Sequence, residues 1–241
     1  MKKILGNIRK ADADFGMIED GDKIAVGVSG GKDSMTLLYA LHLYQKFSHV
    51  KFDLIGITLK LGFSGMDFEP VIQFCKEKGI EYHMVDTNVF DILSAKKDAK
   101  GRLPCSLCSK FKKALLIKKA VELGCNKVSM AHHADDAVET MVMNTIHNGY
   151  ISTFKAKMYM DESDITFIRP LIYCYESDII KTAKKHVPIV ASTCPMDKFT
   201  GREDVKEMLK SLYQTYPAAK DNMLNAMKNT HRVNLLEKET R

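Results

Sequence analysis

No stretch of the 241-residue chain approaches the roughly 20 consecutive apolar residues that a membrane helix requires, so no membrane association is expected. Residues 1–10 contain no long apolar block, which argues against a signal peptide. Six cysteines are too sparse for a disulfide-stapled secreted scaffold. No internal repeat or low-complexity stretch is visible. A hydrophobic share of 45% and a charged share of 27% are ordinary for a folded chain and argue against disorder. These exclusions leave a globular protein, expected in the cytoplasm, whose thiols stay reduced. The length suits one large domain, or a domain with a helical appendage.

The net charge is only +6, but it is unevenly placed. Lys96, Lys97, Lys100, Arg102, Lys110, Lys112, Lys113, Lys118 and Lys119 fall in one window with a single acid, Asp98. That window carries +8, so the rest of the chain is slightly acidic. An even excess would serve solubility alone. A concentrated block points to a polyanionic partner, with a solvated helix face as the plain alternative.

Apolar patterning predicts helix over residues 1–18, a turn at Asp20, Gly21 and Asp22, and a buried strand over 23–28. Helix over 35–47, strand over 52–59, helix over 68–78 ended by Gly79, and strand over 81–85 follow. Next come helix over 109–123 closed by Gly124, strand over 127–131 and helix over 135–147. Phe167 and Ile168 are expected to close the edge of a sheet, ahead of helices over 176–185, 202–213 and 218–228. This alternation predicts an α/β fold, a parallel sheet with helices on both faces. The expected organisation is an N-terminal helix over 1–20, a main domain over 21–200 and a C-terminal helical extension over 201–241, all one compact unit. Ligands of such sheets sit at the carboxyl ends of the strands. Two loops there hold unusual residues.

The first is Ser29, Gly30, Gly31, Lys32, Asp33 and Ser34, between a buried strand and a helix. Adjacent glycines let the backbone approach a ligand closely. The N–H groups of the helix's first turn and its dipole favour an anion there. Two hydroxyls and an ammonium add to a site suited to phosphate. The hexapeptide is neither GxxxxGK[ST] nor GxGxxG: Val26 stands where the first expects its leading glycine, and Asp33 follows the lysine. It resembles the signature of the PP-loop ATP pyrophosphatases, which have the adenine nucleotide α-hydrolase-like fold. The resemblance implies that ATP is split between its α- and β-phosphates. AMP is placed on a carbonyl-type oxygen of the substrate, pyrophosphate leaves, and a nucleophile then displaces AMP.

The second loop is His132, His133, Ala134, Asp135 and Asp136. Two adjacent carboxylates opening a helix cap it and compensate its dipole. They could equally hold Mg²⁺ for a nucleotide. Zinc would need ligands beyond the two histidines. The stretch resembles one lying beside the nucleotide in PP-loop enzymes, which implies roles there for His133, Asp135 and Asp136. Arg169, in Arg169-Pro170-Leu171, matches a third PP-loop motif and is expected to contact a phosphate.

Cys105 and Cys108 form a CxxC expected in a loop just before a helix, and Cys194 lies far along in Ser192-Thr193-Cys194-Pro195. Cys75, Cys125 and Cys174 fall in core-like surroundings. The CxxC alone admits a redox pair, half a zinc site or part of an iron–sulfur cluster. Three thiolates could hold a [4Fe-4S] cluster with one iron open to a sulfide. Over nearly its whole length the chain resembles the tRNA 2-thiocytidine synthetase (TtcA) family. The likeness runs through residues 13–22, the PP-loop, Cys105-Ser106-Leu107-Cys108-Ser109, the His-His-x-Asp-Asp stretch, residues 168–174, Tyr216-Pro217 and residues 223–229.

That resemblance implies ATP, Mg²⁺ and a [4Fe-4S] cluster as cofactors and a cytidine of the tRNA anticodon loop as substrate. It also implies sulfide or a cysteine desulfurase as sulfur donor, and a homodimer. Cys105 and Cys108 match two cluster ligands and Cys194 is taken as the third, although Ser192 stands near the place expected for it. Residues 149–164 depart from the family pattern. Lys112 is a further catalytic candidate, and Lys110, Lys112, Lys113 and Lys118 are expected to form a broad surface for tRNA phosphates. The rival reading is a PP-loop tRNA-modifying or small-molecule amidating enzyme that uses an amine nucleophile and no cluster.

Overall fold

Strand β1 (Asp22–Gly27) is the centre of the sheet, with Ile24, Ala25 and Val26 wholly buried between two layers of helix. The computed structural model describes residues 1–98, 101–196, 201–232 and 235; Lys100 of the basic window, the end of the expected main domain and the extreme C-terminus lie outside them. Strands β2 (Phe52–Lys60), β3 (Glu81–Asp86), β4 (Lys127–Ser129), β5 (Lys157–Met160) and β6 (Ile165–Ile168) complete a six-stranded sheet of order β3-β2-β1-β4-β6-β5. All neighbours are parallel except β5, which runs antiparallel to β6. Phe167 and Ile168 therefore do not form the edge. β5 does, and its half-buried Lys-Met-Tyr-Met run offers neither an apolar block nor an alternating pattern.

The helices are α1 (Lys2–Phe15), α2 (Lys32–Tyr44), α3 (Glu69–Lys78), α4 (Val89–Ser94), α5 (Cys105–Glu122), α6 (Ala134–Met143), α7 (Glu176–His186), α8 (Gly201–Thr215) and α9 (Ala219–Lys228). Helices cover both faces of the sheet, as expected. α2 lies on one face, where Leu38 meets β2 at Gly56. α5 lies on the other, where Leu116 and Ala120 pack with Ala25, Ile55, Ile57, Val128 and Phe167. Two helices start three or more residues earlier than the apolar pattern predicts, and both shifts matter. α2 begins at Lys32, because Gly31 serves as its N-cap, so Lys32, Asp33 and Ser34 form its first turn. α5 begins at Cys105 after the extended Pro104 (φ −75°, ψ 91°), so the CxxC is its first turn and not a loop.

The chain divides into two compact units, one comprising residues 1–133 and the described part of 155–199, the other 134–154 and the described part of 200–241. The first holds the sheet and α1–α5 and α7. In the second, α6 and a π-helical turn (Asn144–Asn148) join α8 and α9 around Val138, Val205 and Leu209. The C-terminal helices thus share a core with α6, rather than starting a separate extension at 201. This unit is discontinuous in sequence, so no linker marks it.

At the amino ends of the strands, Lys127 and Asp22, each about 3% exposed, form an ion pair of 2.6 Å. Lys127 also donates to the Met17 carbonyl (3.0 Å), and Asp22 accepts from Asn126 Nδ2 (2.8 Å) and the Glu19 N–H (2.6 Å). Removing one member of such a pair strands a charge in the core. Asp22→Ala is expected to cost about 3–5 kcal/mol of stability, read as a lowered denaturant midpoint. A loss under about 1 kcal/mol would place the pair among the weak surface bridges. Among the described residues no helix is long and apolar enough to cross a membrane.

Candidate active site

The glycine loop is built from β1, β2 and α2. Val28 donates its N–H to the Ile57 carbonyl (2.8 Å), and its own carbonyl accepts from the buried Thr58 hydroxyl (2.7 Å), which in turn accepts from Tyr82 (2.7 Å). Gly30 sits at φ 82°, in the left-handed region, and a Cβ there would lie 2.8 Å from Val190 Cβ. Both conformation and space restrict this position to glycine. Ser34 Oγ accepts from the Ser29 N–H (3.1 Å) and donates to the Gly31 carbonyl (3.1 Å). With that proton committed, Ser29 donates its own hydroxyl to Ser34 Oγ (3.1 Å) and accepts from the Gly31 N–H (3.3 Å). The two serines hold the loop open at the start of α2, where the first-turn N–H groups face an incoming anion.

Lys32 Nζ bridges Asp33 Oδ2 (3.0 Å) and Glu176 Oε1 of α7 (3.1 Å). Burial, the largest influence, pulls its pKa down. The two carboxylates more than offset it and hold the ammonium above its ordinary range. Asp33 Oδ1 is buried without a hydrogen-bond partner, 3.8 Å from Nε2 of the buried His133. Arg169, 8% exposed, donates from Nε to His132 Nδ1 (3.3 Å) and from a terminal nitrogen to the Lys155 carbonyl (2.5 Å). Desolvation lowers its pKa from the ordinary guanidinium value. Lys32, Asp33, His133 and Arg169, all sequence candidates, thus lie in the unit that carries the loop.

The six thiols fall into two groups. Cys75, Cys125 and Cys174 are buried, and desolvation raises their pKa values to about 11, about 11 and about 12. Such thiols are inert at neutral pH. Cys105 is exposed, and Cys108 and Cys194 are partly exposed. Cys105 and Cys108, three apart in the first turn of α5, share one helix face. Cys108 is raised chiefly by its own partial burial and further by the charges of Cys194 and Cys105, while Lys112 acts in the opposite sense. Cys194, the contributor 86 positions away in sequence, is on the chain two residues before Met196. The Leu103 cluster beneath the CxxC takes in Leu107, Cys108 and Met196, fixing the chain just beyond Cys194 against α5. Among the described residues, no three His, Cys, Asp or Glu side chains converge to metal-ligand distance. As a donor set, the three accessible sulfurs suit the chemistry of iron–sulfur coordination.

Asp135 and Asp136 open α6 in the second unit. Asp135 is ion-paired with Lys220 of α9, and Asp136 meets Arg202 of α8 at 3.4 Å, where Arg202 also reaches Glu139 Oε2 at 3.1 Å. Glu139 is raised by burial, and secondarily by Asp136, against the opposing effect of Arg202.

The PP-loop domain profile matches residues 5–188. The chain belongs to the PP-loop family. Full-length relatives narrow its place within that family. A tRNA-cytidine(32) 2-sulfurtransferase of Geobacter metallireducens is 37% identical, covering 99% of this chain and 93% of the relative. One from Haemophilus influenzae is also 37% identical, over 95% of this chain and 73% of its own length. The PP-loop chain therefore belongs with the tRNA-cytidine(32) 2-sulfurtransferases. In fold it is similar to the U34-tRNA thiolase NcsA of Methanococcus maripaludis, solved with its [4Fe-4S] cluster. The TM-score is 0.74 and identity 23%, over 97% of this chain and 79% of that one.

The basic surface of this PP-loop protein is narrower than the sequence implies. Lys110, Lys112 and Lys118 are exposed on α5. Lys113 turns to the sheet, with Nζ 4.9 Å from the Phe167 ring centroid and 3.7 Å from Met160 Sδ. Arg102 is engaged by Asp98 (2.8 Å) and Lys119 by Glu122 (3.3 Å). Three residues that build the PP-loop site escape motif reading. Thr58 is an ordinary β-branched strand residue in sequence, Glu176 one of several acids opening a helix, and Val190 part of a patternless stretch. Thr58 alone left a signal, as a polar residue inside an apolar strand.

Proposed function

We propose that this protein is an ATP-dependent tRNA thiolase that exchanges the C2 oxygen of an anticodon-loop cytidine for sulfur. The observation that carries the reading is that the three accessible thiols, Cys105, Cys108 and Cys194, share a unit with the glycine loop, Cys108 lying in one apolar cluster with Met196 just beyond Cys194. The names of the relatives and of the structural neighbour point the same way. In the first half-reaction the substrate's carbonyl oxygen attacks the α-phosphorus of ATP, and the α–β bridging bond breaks. Ser29, Gly30, Gly31, Asp33 and Ser34 shape the cradle for the departing pyrophosphate. Lys32, kept protonated by Asp33 and Glu176, offsets its developing charge. Arg169, held by His132 and the Lys155 carbonyl, is placed as a second cation for phosphate oxygens. In the second half-reaction a sulfide-level nucleophile attacks C2 and AMP leaves with the oxygen. ATP, sulfide and tRNA thus become AMP, pyrophosphate and thiolated tRNA.

Cys105, Cys108 and Cys194 would hold the [4Fe-4S] cluster. When bound, it supplies the sulfur-carrying centre. Lys112, one helical turn beyond Cys108, places a positive charge that opposes the upward push of burial on the Cys108 thiol. Mg²⁺ is assigned to Asp135 and Asp136, since it takes carboxylate ligands. To bind it, the two acids exchange the cations of Lys220 and Arg202 for the metal. The donor is sulfide or a cysteine desulfurase, the assembly a homodimer, and the compartment the cytoplasm where tRNA is found. An amine nucleophile would need no accessible thiol cluster, which favours sulfur.

The test supplies tRNA, ATP and sulfide without oxygen and follows pyrophosphate and thiolated nucleoside together. The two products should appear in equal amounts. Pyrophosphate released with ammonia or an amine, and not with sulfide, would support the rival. Substrate binding also yields a prediction. Replacing Lys110, Lys112 and Lys118 by Gln should weaken tRNA binding across sequences and flatten its salt dependence. Every phosphate that a lysine no longer neutralises lowers the log–log slope by about one. An unchanged slope would take α5 out of the interface.

A further inference from the structure

The segment carrying Cys194 is anchored at two points, and one of them is the phosphate cradle. The Val190 N–H donates to the Gly30 carbonyl (2.9 Å), and Val190, 8% exposed, fills the space that the missing Gly30 side chain leaves. Four residues on is Cys194, whose N–H donates to Ser192 Oγ (3.3 Å), making a local turn. Thr193 lies against Gly65 of the loop after β2, its Cγ2 3.7 Å from where a Cβ would be. Six residues on, Met196 joins the apolar cluster under Cys108. One short stretch therefore runs from the glycine that receives the phosphates to the helix that presents the other two thiols. All of it lies in the first unit.

We infer that Val190 is a positioning residue: its clasp on Gly30 sets the third thiol according to whether the phosphate cradle is filled. The physical basis is local. The Gly30–Gly31 peptide shares its plane between the Gly30 carbonyl, which holds Val190, and the Gly31 N–H, which donates to Ser29 Oγ over a long 3.3 Å. A phosphate oxygen that takes that N–H over from the Ser29 hydroxyl, as a stronger charged acceptor, polarises the peptide and fixes its plane. The clasp tightens, and the Cys194 turn loses freedom. Sulfur delivery and adenylation are then registered through one peptide bond.

The inference rests on the PP-loop holding phosphates, as proposed above, but not on the cluster. The assay uses the full-length chain after iron has been removed with a chelator. The alkylation rate of Cys194 by iodoacetamide is read by mass spectrometry of its peptide, with and without saturating inorganic pyrophosphate. Calorimetry separately establishes that pyrophosphate is bound. Bound pyrophosphate should slow alkylation at Cys194 by about fivefold, the lower end of typical site-to-site couplings, with Cys105 changed less. Val190→Pro, which deletes the N–H, should abolish the difference, and Val190→Ala, which keeps it, should preserve it. Should Val190→Pro not fold, the wild-type and Val190→Ala comparisons decide alone. An unchanged Cys194 rate with pyrophosphate demonstrably bound overturns the clasp and leaves the thiolase reading untouched. Failure of pyrophosphate to bind overturns both.

Discussion

Replacing Lys32 by Met is expected to lower kcat/KM for thiolation about 10²–10³-fold, the usual effect of deleting one preorganised charge partner of a transition state. The ammonium is held between Asp33 and Glu176 at 3.0 and 3.1 Å, so it meets developing charge on pyrophosphate without reorganising. The loss should appear mainly in kcat, because the cradle's N–H groups and the two serines still bind ground-state phosphates. Methionine has nearly the same shape but leaves the two carboxylates facing each other, so a lower Tm should accompany the lost rate. Single-turnover pyrophosphate release separates the two effects. A Lys32→Met enzyme within about tenfold of wild type would remove Lys32 from the chemistry.

Replacing Cys105 or Cys108 by Ser is expected to bring thiolated product down at least about 10³-fold, a barrier increase of about 4 kcal/mol, while ATP binding stays intact. The two residues open α5 on one face, away from the hydrogen bonds that shape the glycine loop. Serine keeps the shape and the polar character but is a poor ligand for iron, which favours thiolate. The informative readout is the split between unchanged nucleotide affinity and lost sulfur transfer. Equal loss of both would mean that the thiols serve the fold or the nucleotide site.

The sequence reveals the sheet and the loop through strong local signals. A buried apolar run followed by two glycines and a lysine leaves little freedom in how β1 and α2 join, and the register of β1 against β2 and β4 follows from burial on both faces. The thiol site is only half legible. Cys-Ser-Leu-Cys contains no good helix signal, so the pattern starts the helix at Ser109. Pro104, already extended, lets it start at Cys105 and thereby lines up the two sulfurs. The path of the segment carrying Cys194 is set by the clasp at Val190 and the apolar cluster that takes in Met196, which have no period to read. Lys113 counts as surface charge by spacing, yet the Phe167 ring and Met160 draw it to the sheet. The grouping of α6 with α8 and α9 is made by Val138, Val205 and Leu209 across more than sixty positions, beyond the reach of any local pattern.

In the proposed function, Cys105, Cys108 and Cys194 act as one sulfur-handling centre in the unit that carries the nucleotide loop. Its most direct test is iron and acid-labile sulfide analysis of the wild-type protein and Cys194→Ala, both purified without oxygen. The wild type should be brown, with about four irons and four sulfides per chain, and the Cys194→Ala protein should fold, bind ATP and lose most of its iron. A colourless, iron-free wild type would contradict the claim outright, and a Cys194→Ala protein with the full complement of iron would remove the third thiol from it.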